Sequence, residues 1–220
     1  MKARFLRKVL SPVLLVLGIG LLTYVGKAYF GMYEEQKQLT EQWELQAAAL
    51  QHPAPVAGVP AAKVATVSAP QRISSNDILT RVVIPRINLD AIVVEGVSKQ
   101  ALAKGPGHME ETAAPGQPGN AVITGHRDTF FRHIVELNKG DDILIRRQGQ
   151  VFRFQVTGKK IVWPQDVSVI RPTPDPRLTL ITCYPTYYVG PAPKRLVVFS
   201  KLVDTRADTG SQPVTRGAAQ

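Results

Sequence analysis

Cysteine is nearly absent: Cys183 is the only one in 220 residues, so no disulfide can form within one chain. Aromatic residues make up 7% of the chain, and nowhere do they interleave with a cluster of Lys and Arg. The formal charge of +10 is therefore a dispersed excess of the kind carried by a solvated surface, which argues against nucleic acid as a partner. Attraction to an anionic surface such as a membrane or cell wall stays open. No internal repeat is visible. No acidic cluster suited to a metal ion stands out either, so neither metal nor cofactor is expected.

What the chain does have is unevenly distributed. Lys2, Arg4, Arg7 and Lys8 precede an apolar run that begins at Val9 and is broken only by Ser11, Thr23 and Tyr24 as far as Val25. The pattern divides the N-terminal part into a basic segment over 1–8 and a membrane-spanning helix over 9–30, since about 20 helical residues cross the hydrocarbon core. Basic residues before the run, with Glu34 and Glu35 after it, predict a cytoplasmic N-terminus and an exported remainder. A cleaved signal peptide would need a small-x-small site soon after the apolar core, and Lys27-Ala-Tyr-Phe-Gly is a poor one. An uncleaved anchor in the plasma (inner) membrane, with the rest on the periplasmic or extracytoplasmic side, is the expectation.

Residues 31–51, rich in Glu, Gln, Leu and Ala, should be a helical stalk. Leu39 and Trp43 lie at i,i+4, but the apolar stripe stops there, which favours a polar stalk over a dimerising coil. Residues 52–70 carry Pro53, Pro55, Pro60 and Pro70 among Ala and Val and suit an extended linker. Residues 206–220 are polar and suit a disordered tail.

Between 71 and 205 lie 18 Lys/Arg and 12 Asp/Glu, a net of +6, in a pattern of short strands separated by turn signals. The segments are 82–89, 91–94, 120–124, 142–146, 150–156, 160–163, 177–183 and 195–203. Val151, Arg153 and Gln155 alternate against Phe152, Phe154 and Val156, as in a half-buried strand. Arg147-Gln-Gly-Gln150 suits a hairpin turn. Only Ser98–Lys104 and Phe130–Asn138 look helical. About eight short strands in so few residues favour an all-β sandwich or barrel over a parallel α/β sheet.

Three strand ends carry the chemistry. Arg177-Leu-Thr-Leu-Ile-Thr-Cys183-Tyr-Pro185 is a strand that meets a proline just past its cysteine. Asn120-Ala-Val-Ile-Thr-Gly-His126 is a buried-type strand with a histidine just beyond it. Pro191-Ala-Pro-Lys-Arg195 is a loop returning into a strand that Arg195 opens. Each residue has an ordinary explanation: an inert buried thiol, a turn histidine, an edge arginine. If the Cys183 and Arg195 strands pair antiparallel, and the strand ending at His126 runs parallel beside Cys183, all three reach one rim. A Cys–His–Arg set then has a clear use. The thiolate attacks an amide carbonyl to give a thioester, imidazolium protonates the departing amine, and the always-charged guanidinium holds the carbonyl and its oxyanion. With ordinary pKa values, about 3% of thiols and about a quarter of imidazoles are ionised at pH 7. Independent titration would give both in under about 1% of molecules.

Thr179-Leu-Ile-Thr-Cys183 resembles the Thr-Leu-x-Thr-Cys signature of sortases, and Thr124-Gly-His126 and Arg195 match that family's other two catalytic positions. Ile84-Pro-Arg-Ile-Asn-Leu, Gly125-His-Arg-Asp-Thr-Phe-Phe, Lys139-Gly-Asp-Asp-Ile and Cys183-Tyr-Pro are similar to the class D branch and its proteobacterial relatives. The resemblance covers about residues 78–203. It implies a closed eight-stranded β-barrel over 71–205 and a membrane-anchored cysteine transpeptidase with catalytic Cys183, His126 and Arg195. It further implies cleavage of an LPXTG-type sorting signal after Thr and transfer of the protein to an amine of peptidoglycan or another protein. The alternatives are a membrane-anchored cysteine peptidase and a non-catalytic envelope binding protein. An L,D-transpeptidase would carry a Ser-x-Gly-Cys type motif, which Ile181-Thr-Cys183-Tyr does not match.

Overall fold

Strands alternating between apolar and mixed residues bury one face, and a sheet rolled on itself buries that face without a second layer. The computed structural model describes residues 2–51, 79–187 and 190–209. Its strands are β1 (Thr80–Ile84), β2 (Leu89–Glu95), β3 (Gly107–His108), β4 (Asn120–Gly125), β5 (Asp142–Arg147), β6 (Gln150–Val162), β7 (Arg177–Tyr184) and β8 (Lys194–Ala207). They close into a barrel in the order β1-β2-β3-β4-β7-β8-β6-β5. Two neighbouring pairs, β2 with β3 and β4 with β7, are parallel, and the other pairs are antiparallel.

The expected eight strands are present, but not all in the expected places. The segments 150–156 and 160–163 are one strand, β6, carried through Thr157-Gly158 by a register shift against β8. The count is restored by β3, whose two residues give no sequence pattern. The hairpin at Arg147-Gln-Gly-Gln150 is found, with Gln148 and Gly149 both at positive φ, the backbone of a tight primed turn. Helix α2 (Lys99–Lys104) forms where expected, its first turn capped by Ser98 Oγ accepting from Ala101 N at 3.1 Å.

Phe130–Asn138 is not the expected helix. It is a series of turns with one 3-10 segment at Ile134–Glu136. Phe131, Ile134 and Leu137 are spaced by three, which matches the 3-10 repeat, and all three are fully buried. They plug the end of the barrel that β4 leaves, packing with Ile84, Ile123 and Leu180. Gly125 permits that plug, because a Cβ there would meet the Phe131 ring at 2.8 Å.

Helix α1 (Lys2–Gln51) is continuous. Among its described residues, the large apolar side chains from Val13 to Val25 are exposed, and its composition and length suffice to cross a membrane. Its second half is helical as expected, but it lies against the barrel instead of standing free. Gln36 bonds strand β2 as another strand would. Its Oε1 accepts from Ile92 N at 2.9 Å, and its Nε2 donates to Ile92 O at 3.1 Å and Lys104 O at 2.7 Å. Trp43 is buried, with the guanidinium carbons of Arg81 and Arg146 at 4.9 and 5.5 Å from its ring centroid. Those arginines are held in turn by Asp90 and Asp208. A Trp43 engaged in this way is not available to a dimerising coil. The linker at 52–70 lies outside the described residues, as does most of the tail. Of that tail, Arg206 and Ala207 still belong to β8, and Asp208 is buried.

His108 is a buried polar residue that sequence patterning gave no reason to single out. Its Nδ1 lies 2.8 Å from Glu95 Oε2 and its Nε2 lies 3.0 Å from Ala113 O. Acceptors at both nitrogens favour the doubly protonated ring. Burial opposes that charge, but the Glu95 hydrogen bond and carboxylate together with the Ala113 carbonyl outweigh it and raise the pKa above the ordinary histidine value. A raised folded-state pKa gives stability that is complete below the unfolded value of about 6.5 and fades as pH rises through the folded value. Urea unfolding at several pH values should therefore show a loss of stability on that rise that Glu95→Gln removes. Separately, a fragment of residues 31–220 should melt several degrees above one of residues 71–220, because only the former keeps Gln36 and Trp43. Equal melting temperatures would mean that the docked helix contributes nothing to stability.

Candidate active site

The inward residues of β7 are Leu178, Leu180 and Thr182, which puts Thr179, Ile181 and Cys183 on the outer face. The same parity puts Thr124 and then His126 outward from β4, and Arg195 and Val197 outward from β8. Registers align them across the strands. Cys183 pairs directly with Arg195, and Gly125 with Thr182, so His126 falls level with Cys183 one step past the last β4–β7 pair. Neighbouring strands lie about 4.8 Å apart, so the three α-carbons span about 10 Å along one row. The parallel and antiparallel pairings assumed from sequence are the ones observed. His126 is exposed, while Cys183 and Arg195 are half-buried.

The residues before Cys183 account for why this row is held in register. Thr182 Oγ1 donates to Gly125 O at 2.7 Å, tying β7 to β4 immediately below Cys183 and His126. Thr179 Oγ1 donates to Asn120 Oδ1 at 2.7 Å, and Asn120 Nδ2 donates to Val169 O at 3.1 Å and Arg171 O at 3.2 Å. The first threonine thus anchors the β6–β7 connection, and the second fixes the strand ends. Leu180 fills the core between them, while Ile181 packs outward with Val162, Val169 and Val197. The result is a small closed apolar cluster beside the row, covered by that connection.

Arg195 Nη1 donates to the carbonyls of Ala192 at 3.2 Å and Lys194 at 2.9 Å. Of the five N–H donors in its planar fork, the three on Nε and Nη2 make no hydrogen bond among the described residues. Next to it, the Lys194 ammonium lies 5.0 Å from the centroid of the Trp163 ring, linking the start of β8 to the end of β6. Among the described residues, no group of three or more His, Cys, Asp and Glu could hold a metal ion.

Two further residues at the site lie within the quoted motifs, but their contacts are not legible in the sequence. Arg127 reaches across the β7–β8 loop, donating to Pro185 O at 3.0 Å and Gly190 O at 2.6 Å. Its position directly after His126 was the available signal, but nothing in the sequence said where its side chain would go. Thr124 Oγ1 is buried on the outer face with no hydrogen-bond partner among the described residues, two positions before His126.

A sortase-domain profile matches residues 82–203. The chain belongs to the sortase family. It is 40% identical over 121 residues to Sortase D of Bacillus subtilis (strain 168), a match covering 54% of this chain and 61% of that protein. It is 26% identical over 195 residues to Sortase A of Bacillus anthracis, covering 83% and 89%. Among solved structures, Sortase E1 from Streptomyces coelicolor with a tripeptide in its active site superimposes with a TM-score of 0.56 at 26% identity, covering 62% of this sortase and 94% of that chain. The Clostridium perfringens Sortase D5 transpeptidase shares the fold with a TM-score of 0.57 at 23% identity, covering 78% and 98%. The alignment to Sortase D thus takes in less than two thirds of that relative's length.

Arg127→Ala should speed amide hydrogen exchange in residues 185–193 while leaving exchange in β4 and β7 unchanged. Unaltered exchange in that loop would mean that Arg127 does not hold it.

Proposed function

We propose that this sortase is a membrane-anchored cysteine transpeptidase. The observation that carries the proposal is the row of His126, Cys183 and Arg195 on the outer face of the barrel. Cys183 as thiolate attacks the carbonyl of a peptide bond, and Arg195, through the N–H donors it does not spend on its own loop, steadies the developing oxyanion. The tetrahedral adduct collapses, His126 as imidazolium gives its proton to the leaving amine, and a thioester on Cys183 remains. An incoming amine then attacks the thioester, its surplus proton passes to the neutral His126, and the Cys183 thiolate departs. The cycle ends in its starting protonation state.

The match to the sortase family supports an LPXTG-type sorting signal as the peptide substrate. The acceptor amine would come from peptidoglycan or a second protein. The exposed apolar first half of α1 serves as a single-pass anchor with a cytoplasmic N-terminus and an extracytoplasmic barrel.

The test incubates the detergent-solubilised full-length protein with an LPXTG-type peptide and triglycine and follows the products by mass spectrometry. The expected result is a thioester adduct on Cys183 that triglycine resolves into a ligated peptide. Cys183→Ala should abolish both. Arg195→Lys should lower turnover by about 10²-fold or more, since lysine keeps charge but loses the fork. Hydrolysed peptide with no ligated product for any amine tried would favour a peptidase. No adduct across a diverse peptide library would favour a binding protein.

A further inference from the structure

Strand directions assign the loops to two ends of the barrel. β1 runs into the 3-10 turn Pro85–Ile87 and returns as β2. β2 is parallel to β3, β3 is antiparallel to β4, and β4 is parallel to β7. The turn at Pro85–Ile87, the end of β4 before His126 and the end of β7 at Cys183 therefore share one end, the catalytic rim. By the same logic the β5–β6 hairpin and the end of β8 at Ala207 lie at the other.

Helix α1 is laid between those two ends. Met32 lines a cleft with Ile87, Leu89 and Phe130, all at the rim end. Gln36 binds the middle of β2, Trp43 meets Arg81 and Arg146 toward the far ends of β1 and β5, and Leu50 lies beside Gly149 of the far hairpin. The rise from Met32 to Leu50 is about 27 Å. Phe30, the last residue of the expected membrane span, is only two positions before Met32.

We infer that the clamp between α1 and the barrel holds the catalytic rim against the membrane surface, with lipid as the occupant of the cleft that opens beside Phe130. This rests on the anchored reading above. The rim's chemistry suits an interface. Met32, Tyr33, Ile87 and Phe130 offer apolar and aromatic surface, while Arg86 and Arg132 are exposed and make no ion pair among the described residues. Aromatic side chains beside arginines favour the headgroup layer, where rings sit among the acyl boundary and guanidinium groups meet phosphate. Three separate contacts, through Gln36, the Lys104–Glu35 pair and Trp43, prevent the barrel from swinging about a single point. The enzyme would thus act on bonds within a few ångströms of the lipid surface.

Because Cys183 is the only thiol, it reports its own height. The full-length protein is reconstituted into phosphatidylethanolamine–phosphatidylglycerol vesicles doped with a headgroup-linked acceptor dye. It carries a donor dye either on Cys183 or, in Cys183→Ser/Thr205→Cys, at the exposed far end of β8. Energy transfer from Cys183 should exceed that from residue 205 by about twofold or more, given the barrel's length along α1. Adding Gln36→Ala and Trp43→Ala should erase the difference while leaving the barrel's circular dichroism intact. Equal transfer from the two sites in a protein that resists alkaline carbonate extraction would overturn the orientation but leave the anchor standing. Persistence of the difference in the double variant would overturn the clamp. Release of the protein by carbonate would overturn the anchor and this inference with it.

Discussion

The parallel pairing of β4 with β7 is the constraint on which the rest of this structure depends. An antiparallel neighbour could have been joined by a tight turn, but parallel strands need a long crossover. Here that crossover contains β5, β6 and the connection after it. Two distant segments of sequence are thereby brought side by side, ending together. Thr182 bonding to Gly125 O makes the coincidence exact to one residue, and a shift of one would turn Cys183 inward toward the core. The β7–β8 pairing then adds Arg195 to the same row. The rigid barrel supplies the alignment, and the loops beyond it supply the surroundings.

The rim is also where the barrel is sealed. Phe131, Ile134 and Leu137 enter the interior directly after the segment that carries His126 and Arg127. The plug and His126 are consequently carried on one short continuous segment. Deleting any of these buried side chains would cost about 2–5 kcal/mol by the usual penalty for core truncation. Such a change would also disturb the row, because Gly125 touches the Phe131 ring. On the opposite wall α1 closes the part of β2 that β3 is too short to cover, with a glutamine supplying the hydrogen bonds a neighbouring strand would have made.

Much of this was legible in the sequence, for physical reasons that differ from residue to residue. Alternation in β6 and the continuous apolar runs of β4 and β7 give strands because side-chain period follows backbone geometry. The three strand ends could be joined into one site because Cys183 and Arg195 flank a proline-bearing loop and His126 ends a buried-type strand. What could not be read depended on contacts with no period. β3 has two residues, and the Thr157-Gly158 irregularity looks like a break. The spacing of Phe131, Ile134 and Leu137 resembles a helix until burial on all three identifies a plug. The docking of α1 uses Gln36, Glu35 and a single Trp43, polar and isolated positions that in sequence suggest a free stalk. His108 and Glu95 are 13 residues apart and meet only because β2 and β3 pair in parallel.

The anchor through Thr179 and Asn120 reaches the β6–β7 connection only at main-chain oxygens, those of Val169 and Arg171. Every residue has such an oxygen. Side chains of that connection that lie outside the apolar cluster of Val169 and Ile170 can therefore be exchanged over evolutionary time without loosening this anchor, provided its course is kept. Val167, exposed on it, is free to drift in a way that Val169, Thr179 and Asn120 are not. Surface variation and barrel integrity are thus separately heritable, and a library randomised at the exposed positions of this connection would sample new surfaces on an unchanged frame.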